Sequence, residues 1–110
     1  MDISFGDSKL EKYANDDKRA IKKLGGLRAS IYKKRLDDLK AAETLEDVRH
    51  LPGKYHELSG DRKGYWACSL DNPYRLIFKP QEDPIPENEN GQYVWIKILG
   101  IEVTEIVDYH

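Results

Sequence analysis

Apolar positions change their spacing near the middle of the chain. In the first half, Leu27, Ile31, Leu36, Leu39 and Ala42 recur at helical intervals, with basic residues between them. Ahead of that run, Ile3–Phe5 reads as a short strand. Asp7 or Ser8 then caps a helix through Tyr13 and Ala14, and Asn15, Asp16 and Asp17 form a second capping cluster. Gly25-Gly26 punctuates the helices. Thr44 with Asp47 resembles a capping box opening one short turn, and Pro52-Gly53 closes the helical half. The second half has a period of two. Trp66, Cys68 and Leu70 alternate on one strand and Tyr74, Leu76 and Phe78 on the next, with Asp71-Asn72-Pro73 as the hairpin turn between them. The stretch QYVWIKILGIEVTEIV predicts one long strand, with Gly100 as a bulge or bend. Helices followed by paired strands predict an α+β fold, N-terminal helices packed on one face of an antiparallel sheet. Residues 1–110 form one domain, with no internal repeat.

Composition narrows the class. A chain of 110 residues, 39% apolar and 35% charged, suits a soluble domain that buries a core without metal or disulfide staples. No apolar run approaches a membrane span, and MDISFGDSKL lacks the basic start and apolar block of a secretion signal. Cys68 is the only cysteine, which fits a reducing cytoplasm. The net charge of −2 argues against a general nucleic-acid binder, yet the charge is segregated. Positions 18–36 hold eight bases and no acid; positions 80–110 hold seven acids against Lys97 alone. A solvated helix face is the plain account of the first cluster. The second includes PQEDPIPENENG, whose prolines and acids predict a solvated loop with no core of its own.

Alternation also sorts the chemistry. If Trp66, Cys68, Leu70, Tyr74, Leu76 and Phe78 face the core, then Tyr65, Ser69, Arg75 and Lys79 face the other way. A mid-strand arginine on an open face holds its guanidinium rigidly enough to seat a phosphate or carboxylate, although a cross-strand pairing with an acid is the plainer account from the residues alone. His56 stands before a charged turn that contains Arg62 and Lys63. Spacing alone leaves that histidine incidental. HxxxH and CxxC spacings are absent, so no metal or other cofactor is expected. The last residues, EIVDYH, lead an apolar run into Asp108, Tyr109 and His110, each able to move or steer a proton.

The ordered set HELSGDRKGYW, NPYRLIF and EIVDYH, together with KKRLDDLKAAETLEDV, resembles HigB-like toxins of the RelE/ParE superfamily, also called plasmid maintenance killer proteins. That resemblance implies a RelE/ParE-like fold and a metal-independent endoribonuclease. Its substrate would be messenger RNA on the ribosome, its effect inhibition of translation, and its partner a helix-turn-helix, HigA-like antitoxin. By matching position it implies catalytic roles for His56, Arg75, Asp108, Tyr109 and His110, with RNA contacts from Lys54, Arg62, Lys63 and Lys79. Ser59 stands where some members carry a basic residue, which weakens a phosphate contact there. The acidic loop exceeds the tight turn of the smallest members and would crowd an RNA path. The same fold also hosts toxins that poison DNA gyrase without nuclease chemistry, and a non-enzymatic interaction protein is the third reading.

Overall fold

The computed structural model describes residues 1–109, and every structural statement below concerns those residues. A strand, β1 (Asp2–Phe5), leads into three helices: α1 (Ser8–Asn15), α2 (Asp17–Leu24) and α3 (Gly26–Ala41). A 3₁₀ turn over Leu45–His50 precedes β2 (His56–Glu57), and another over Gly60–Arg62 precedes β3 (Trp66–Ser69). Then come β4 (Tyr74–Pro80), a third 3₁₀ turn at Trp95–Lys97, and β5 (Gly100–Asp108). The five strands form one sheet in the order β1-β5-β4-β3-β2.

Local chemistry sets the helix ends. The Asp7 carboxylate accepts from the Lys9 N–H and caps α1; the Asp16 carboxylate accepts from the Arg19 N–H and caps α2. Gly25 sits at φ 83°, a conformation that favours glycine, and there the chain turns from α2 into α3. At the far end of α3 the Met1 ammonium donates to the carbonyls of Leu39, Lys40 and Ala42. A positive group thus meets the negative end of the helix and ties β1 to it.

Tyr32, Leu36 and Leu39 of α3 share one hydrophobic cluster with Trp66, Cys68, Leu70, Leu76 and Phe78 from the hairpin, and with Ile101 and Val103 from β5. The hairpin falls where its turn residues predict, with Tyr74 N–H donating to the Asp71 carbonyl at 2.7 Å. Arg28 locks that turn to the start of α3. Its Nε and Nη2 donate to the two Asp71 oxygens at 2.8 and 3.1 Å, and its guanidinium lies 3.4 Å from the Tyr74 ring centroid.

Several expectations need correction. The sheet is mixed, because β1 runs parallel to β5 in register Asp2 with Gly100 through Phe5 with Val103; the helices between them supply the crossover that a parallel pair requires. Leu27 is exposed, while Ala29 and Tyr32 take the buried side of α3. Tyr74 is only half-buried, since Arg28 covers its ring from outside. The long strand from Gln92 does not form. Trp95 turns inward instead, its ring edge-on to Trp66 at 5.5 Å and to Tyr93 at 5.2 Å, and its indole N–H donates to Glu57. Burying one large aromatic outweighs a regular alternation that would have kept Ile96 inside; Ile96 is exposed. Gly100 therefore opens β5 rather than bending it. The acidic loop is not free of the core either, because its Ile85 packs against it.

The Arg28–Asp71 clasp gives a pH signature. Its hydrogen bond and charge hold the Asp71 carboxyl below the usual carboxylate range. A lowered folded-state pKa stabilises above the unfolded value, about 4, and that contribution is lost as pH falls through the folded one. Asp71→Asn is therefore expected to lower stability by on the order of 1–2 kcal/mol at neutral pH, with the gap closing in acid. Urea melts of both proteins across the acid range check this; a gap independent of pH contradicts it.

Candidate functional site

The pairing register fixes which side chains share the face turned away from the main core. Residues directly opposite one another in neighbouring strands point to the same side. His56 pairs with Ala67, Ala67 with Ile77, and Ile77 with Glu105, giving one row across four strands. The adjacent row is Ser69, Arg75 and Val107. Lys79 pairs with Glu102 in the row beyond, with its Nζ 5.8 Å from the Tyr65 ring centroid.

An irregularity in β5 sets that arrangement. Ile77 opposes Glu105 but Phe78 opposes Val103, so Thr104 is an extra residue, a β-bulge, whose hydroxyl donates to the Ile77 carbonyl at 3.0 Å. The bulge shifts the phase of the strand. Glu102, Glu105 and Val107 all share the face of Arg75, whereas Asp108 pairs with Tyr74 on the opposite side. Strict alternation from Glu102 would have placed Asp108 with Arg75 and Glu105 away from it. Glu105 is the residue of this face that the sequence reading missed. Its signal was hidden by one unpaired threonine.

His56 is exposed, and its Nδ1 lies 2.7 Å from the Lys54 carbonyl. A carbonyl only accepts, so Nδ1 carries a proton and Nε2 is the nitrogen left to exchange one. The segment before His56 is held by a close approach. Gly53 sits at φ 123°, with the Arg35 guanidinium where a β-carbon would stand, 2.8 Å from its ideal position. The Gly53 carbonyl accepts from both the N–H and the hydroxyl of Ser69, while Arg35 Nε donates to the Ser69 carbonyl at 2.8 Å. So Arg35, expected on a solvated helix face, instead reaches the strand beside Arg75.

Arg75 is half-buried, and its Nη1 donates to the Tyr74 carbonyl at 3.0 Å. Its cross-strand neighbours, Ser69 and Val107, carry no charge, so the pairing with an acid directly across the sheet does not occur. Arg62 reaches over from the 3₁₀ turn to Glu105 in an ion pair. Glu105, and beyond it the phenols of Tyr109 and Tyr65, raise the Arg62 pKa above its ordinary value. Tyr109 itself is exposed, with its N–H bonded to the Pro73 carbonyl at 3.2 Å. Lys63 lies 5.4 Å from the Tyr93 ring centroid and Lys54 is exposed. His110 lies outside the described residues. Burial pushes the Cys68 thiol up to about 12, so it supplies no thiolate at neutral pH.

Charge varies along this face. At one end a recess lined by Lys63, Tyr65 and Lys79 is closed by Glu82, Asp83 and Glu102. At the other end, His56 and Arg75 have uncharged cross-strand partners, Ala67 for the first and Ser69 and Val107 for the second. An anion fits the second end better than the first.

Residues 3–94 fit the family described as RelE-like toxin of type II toxin-antitoxin system HigB. The chain belongs to the HigB-like toxin family. It is 34% identical over 80 residues to Toxin HigB-1 of Vibrio cholerae, covering 72% of this chain and 83% of that one. It is 31% identical over 88 residues to Toxin YoeB of Streptomyces coelicolor, covering 77% and 89%. A solved YoeB/ParE toxin from Agrobacterium tumefaciens aligns over the full length of both chains with 14% identity and a TM-score of 0.49. As a toxin of a toxin–antitoxin system, the chain implies an antitoxin partner. No helix is long and apolar enough to cross a membrane.

In this toxin the Gly53 approach is testable without any assay of function. Gly53→Ala places a side chain at a strained φ and against the Arg35 guanidinium, at a cost of roughly 1–3 kcal/mol. A lower urea midpoint with an unchanged slope is expected. A parental midpoint would show that Arg35 moves aside and does not hold the segment.

Proposed function

We propose that the toxin is a ribosome-dependent endoribonuclease that cuts messenger RNA in the cytoplasm and so inhibits translation. In this reading the helices form a layer behind the sheet and leave the face of Arg75 to RNA. The observation that carries it is the register that places His56 and Arg75 in neighbouring rows of one face. Their Cα atoms are then about 12 Å apart, from strand spacing and rise. Two side chains converging across that gap can hold one phosphodiester between them.

The proposed reaction needs no metal. The 2′-oxygen attacks the phosphorus and forms a bond to it, and the bond from phosphorus to the 5′-oxygen breaks. The proton of the 2′-hydroxyl goes to a base, and an acid delivers one to the departing 5′-oxygen. Arg75 binds the non-bridging oxygens, where negative charge builds in the transition state. His56 accepts the 2′-proton through Nε2, the nitrogen that the Lys54 carbonyl leaves open. His110 is the proposed acid, with Tyr109 stacking on a base or donating to the phosphate; Asp108, which pairs on the side away from Arg75, is proposed to orient His110 and not to touch the phosphate. Lys54, Arg62, Lys63 and Lys79 are the proposed contacts to the RNA strand, Arg62 and Lys79 only after exchanging their present acidic partners. The proposed antitoxin is a helix-turn-helix protein of HigA type.

Single-turnover cleavage on programmed ribosomes tests the assignment. Arg75→Ala is expected to lower the rate about a hundred- to a thousand-fold with an unchanged thermal melt. Parental cleavage by a folded Arg75→Ala protein contradicts it. Inhibition of DNA supercoiling without any cleavage by the parental toxin would point instead to a gyrase poison.

A further inference from the structure

At the end of the sheet face away from Arg75, the segment between β4 and β5 closes a recess of about 370 Å³, within the range of roughly 300–1,000 Å³ that holds small ligands. That segment is fastened by local contacts. The Gln81 amide donates to the Ser4 hydroxyl and the Ile101 carbonyl, each at 3.0 Å, and the Leu99 N–H donates to Glu82 Oε2 at 2.7 Å. Gly64 sits at φ 94°, and the Ile85 side chain comes to 3.0 Å from where a β-carbon would stand. Glycine there lets the segment approach the turn that bears Lys63.

The lining brings opposite charges together without pairing them all. Lys63 and Asp83 both line the recess and are exposed, yet neither forms an ion pair with a described residue. Lys79 and Glu102 are loosely held, at 3.7 Å. Tyr65 is half-buried, with Lys79 Nζ 5.8 Å from its ring centroid. Glu82 Oε1 is buried without a hydrogen-bond partner among the described residues, which adds uncompensated negative charge. The acids disfavour an anion here, and the lysines disfavour a simple cation. What fits is a flat neutral group with donors on one edge and acceptors on another, beside an aromatic ring. Among nucleobases, guanine matches best. Its N1–H and N2 amine donate to a carboxylate, which only accepts, and its O6 and N7 accept from an ammonium, which only donates. Adenine offers a carboxylate its amine alone, and uracil a single N–H.

We infer that this recess is a guanine pocket that sets which messenger sequences the toxin cuts, with Asp83 accepting from N1–H and the N2 amine and Lys63 donating to O6 or N7. This rests on the proposed endoribonuclease activity. Lys79 lies along β4 from Arg75 by roughly 13 Å at the rise of a strand. Stacked nucleotides rise about 3.4 Å each, so the guanine lies within about four nucleotides of the phosphate held by Arg75. The two ends of the face then have separate tasks. The reacting phosphate takes the end with uncharged partners, and a neutral base takes the end with acids.

The test is single-turnover cleavage on programmed ribosomes by the full-length toxin, using a messenger pool randomised over the four positions on each side of one scission site. The parental toxin is expected to favour guanine at one of those positions. Single messengers then compare bases there: guanine should be cut about tenfold faster than adenine, with inosine, which lacks the N2 amine, in between. Asp83→Asn keeps the shape of the side chain and removes its charge. Because a charged acceptor roughly doubles the strength of such a bond, the preference should fall to about threefold. Asp83→Ala removes the acceptor and should bring guanine and adenine near parity. Asp83 is exposed, so both variants should keep the parental thermal melt. Cleavage indifferent to every randomised position overturns the inference and leaves the nuclease reading standing. So does an unchanged guanine preference in folded Asp83→Ala, and if that variant instead loses affinity for the antitoxin, the recess belongs to a protein. No cleavage of any messenger by the parental toxin fails the nuclease reading itself, and the guanine pocket with it.

Discussion

The phase of β5 against β4 decides which charges meet on this molecule. One extra residue, Thr104, lies between the pairs Ile77–Glu105 and Phe78–Val103. Before it, Val103 and Ile101 are buried in the core; after it, Glu105 and Val107 join the face of Arg75. A strand of strict period two keeps one face apolar only if the sequence alternates throughout, and EVTEIVD does not. The bulge resolves that conflict. It keeps Val103 and Ile106 with the hydrophobic cluster and sends Glu105 outward to Arg62.

From that phase follows the division of the sheet face into two ends. Glu102 and Glu105 engage Lys79 and Arg62, while the direct cross-strand partners of Arg75 and His56 are uncharged. The surface ion pairs contribute little to stability, on the order of 0–1 kcal/mol each. Their larger effect is on where an anion can settle. Arg35, Gly53 and Ser69 then connect this face to α3, so the segment that bears His56 is braced by a helix whose Tyr32, Leu36 and Leu39 lie in the core.

Much of this was legible in the sequence, for physical reasons. Capping aspartates, the double glycine and the hairpin turn act through their immediate neighbours, so they were read where they lie. The alternation of Trp66, Cys68, Leu76 and Phe78 was equally plain, because all four are fully buried. What escaped depended on distant partners. Trp95 left the strand pattern because Trp66, Tyr93 and Glu57 receive it, and none of these is near it in sequence except Tyr93. Glu105 and Asp108 exchanged faces because of a bulge that no turn residue marks. Family motifs pointed to His56, Arg75 and the C-terminal residues by position, and only the register showed that Asp108 pairs on the side away from Arg75.

The central claim is that the face of His56 and Arg75 promotes attack by a 2′-oxygen on the neighbouring phosphorus. The most direct measurement is end-group analysis of a ribosome-bound messenger cut by the toxin, beside the same messenger with a single 2′-deoxy nucleotide at the scission position. The account predicts a 2′,3′-cyclic phosphate upstream and a 5′-hydroxyl downstream, with no cut at the deoxy position. Cleavage at that position, or a 5′-phosphate on the downstream fragment, would contradict it.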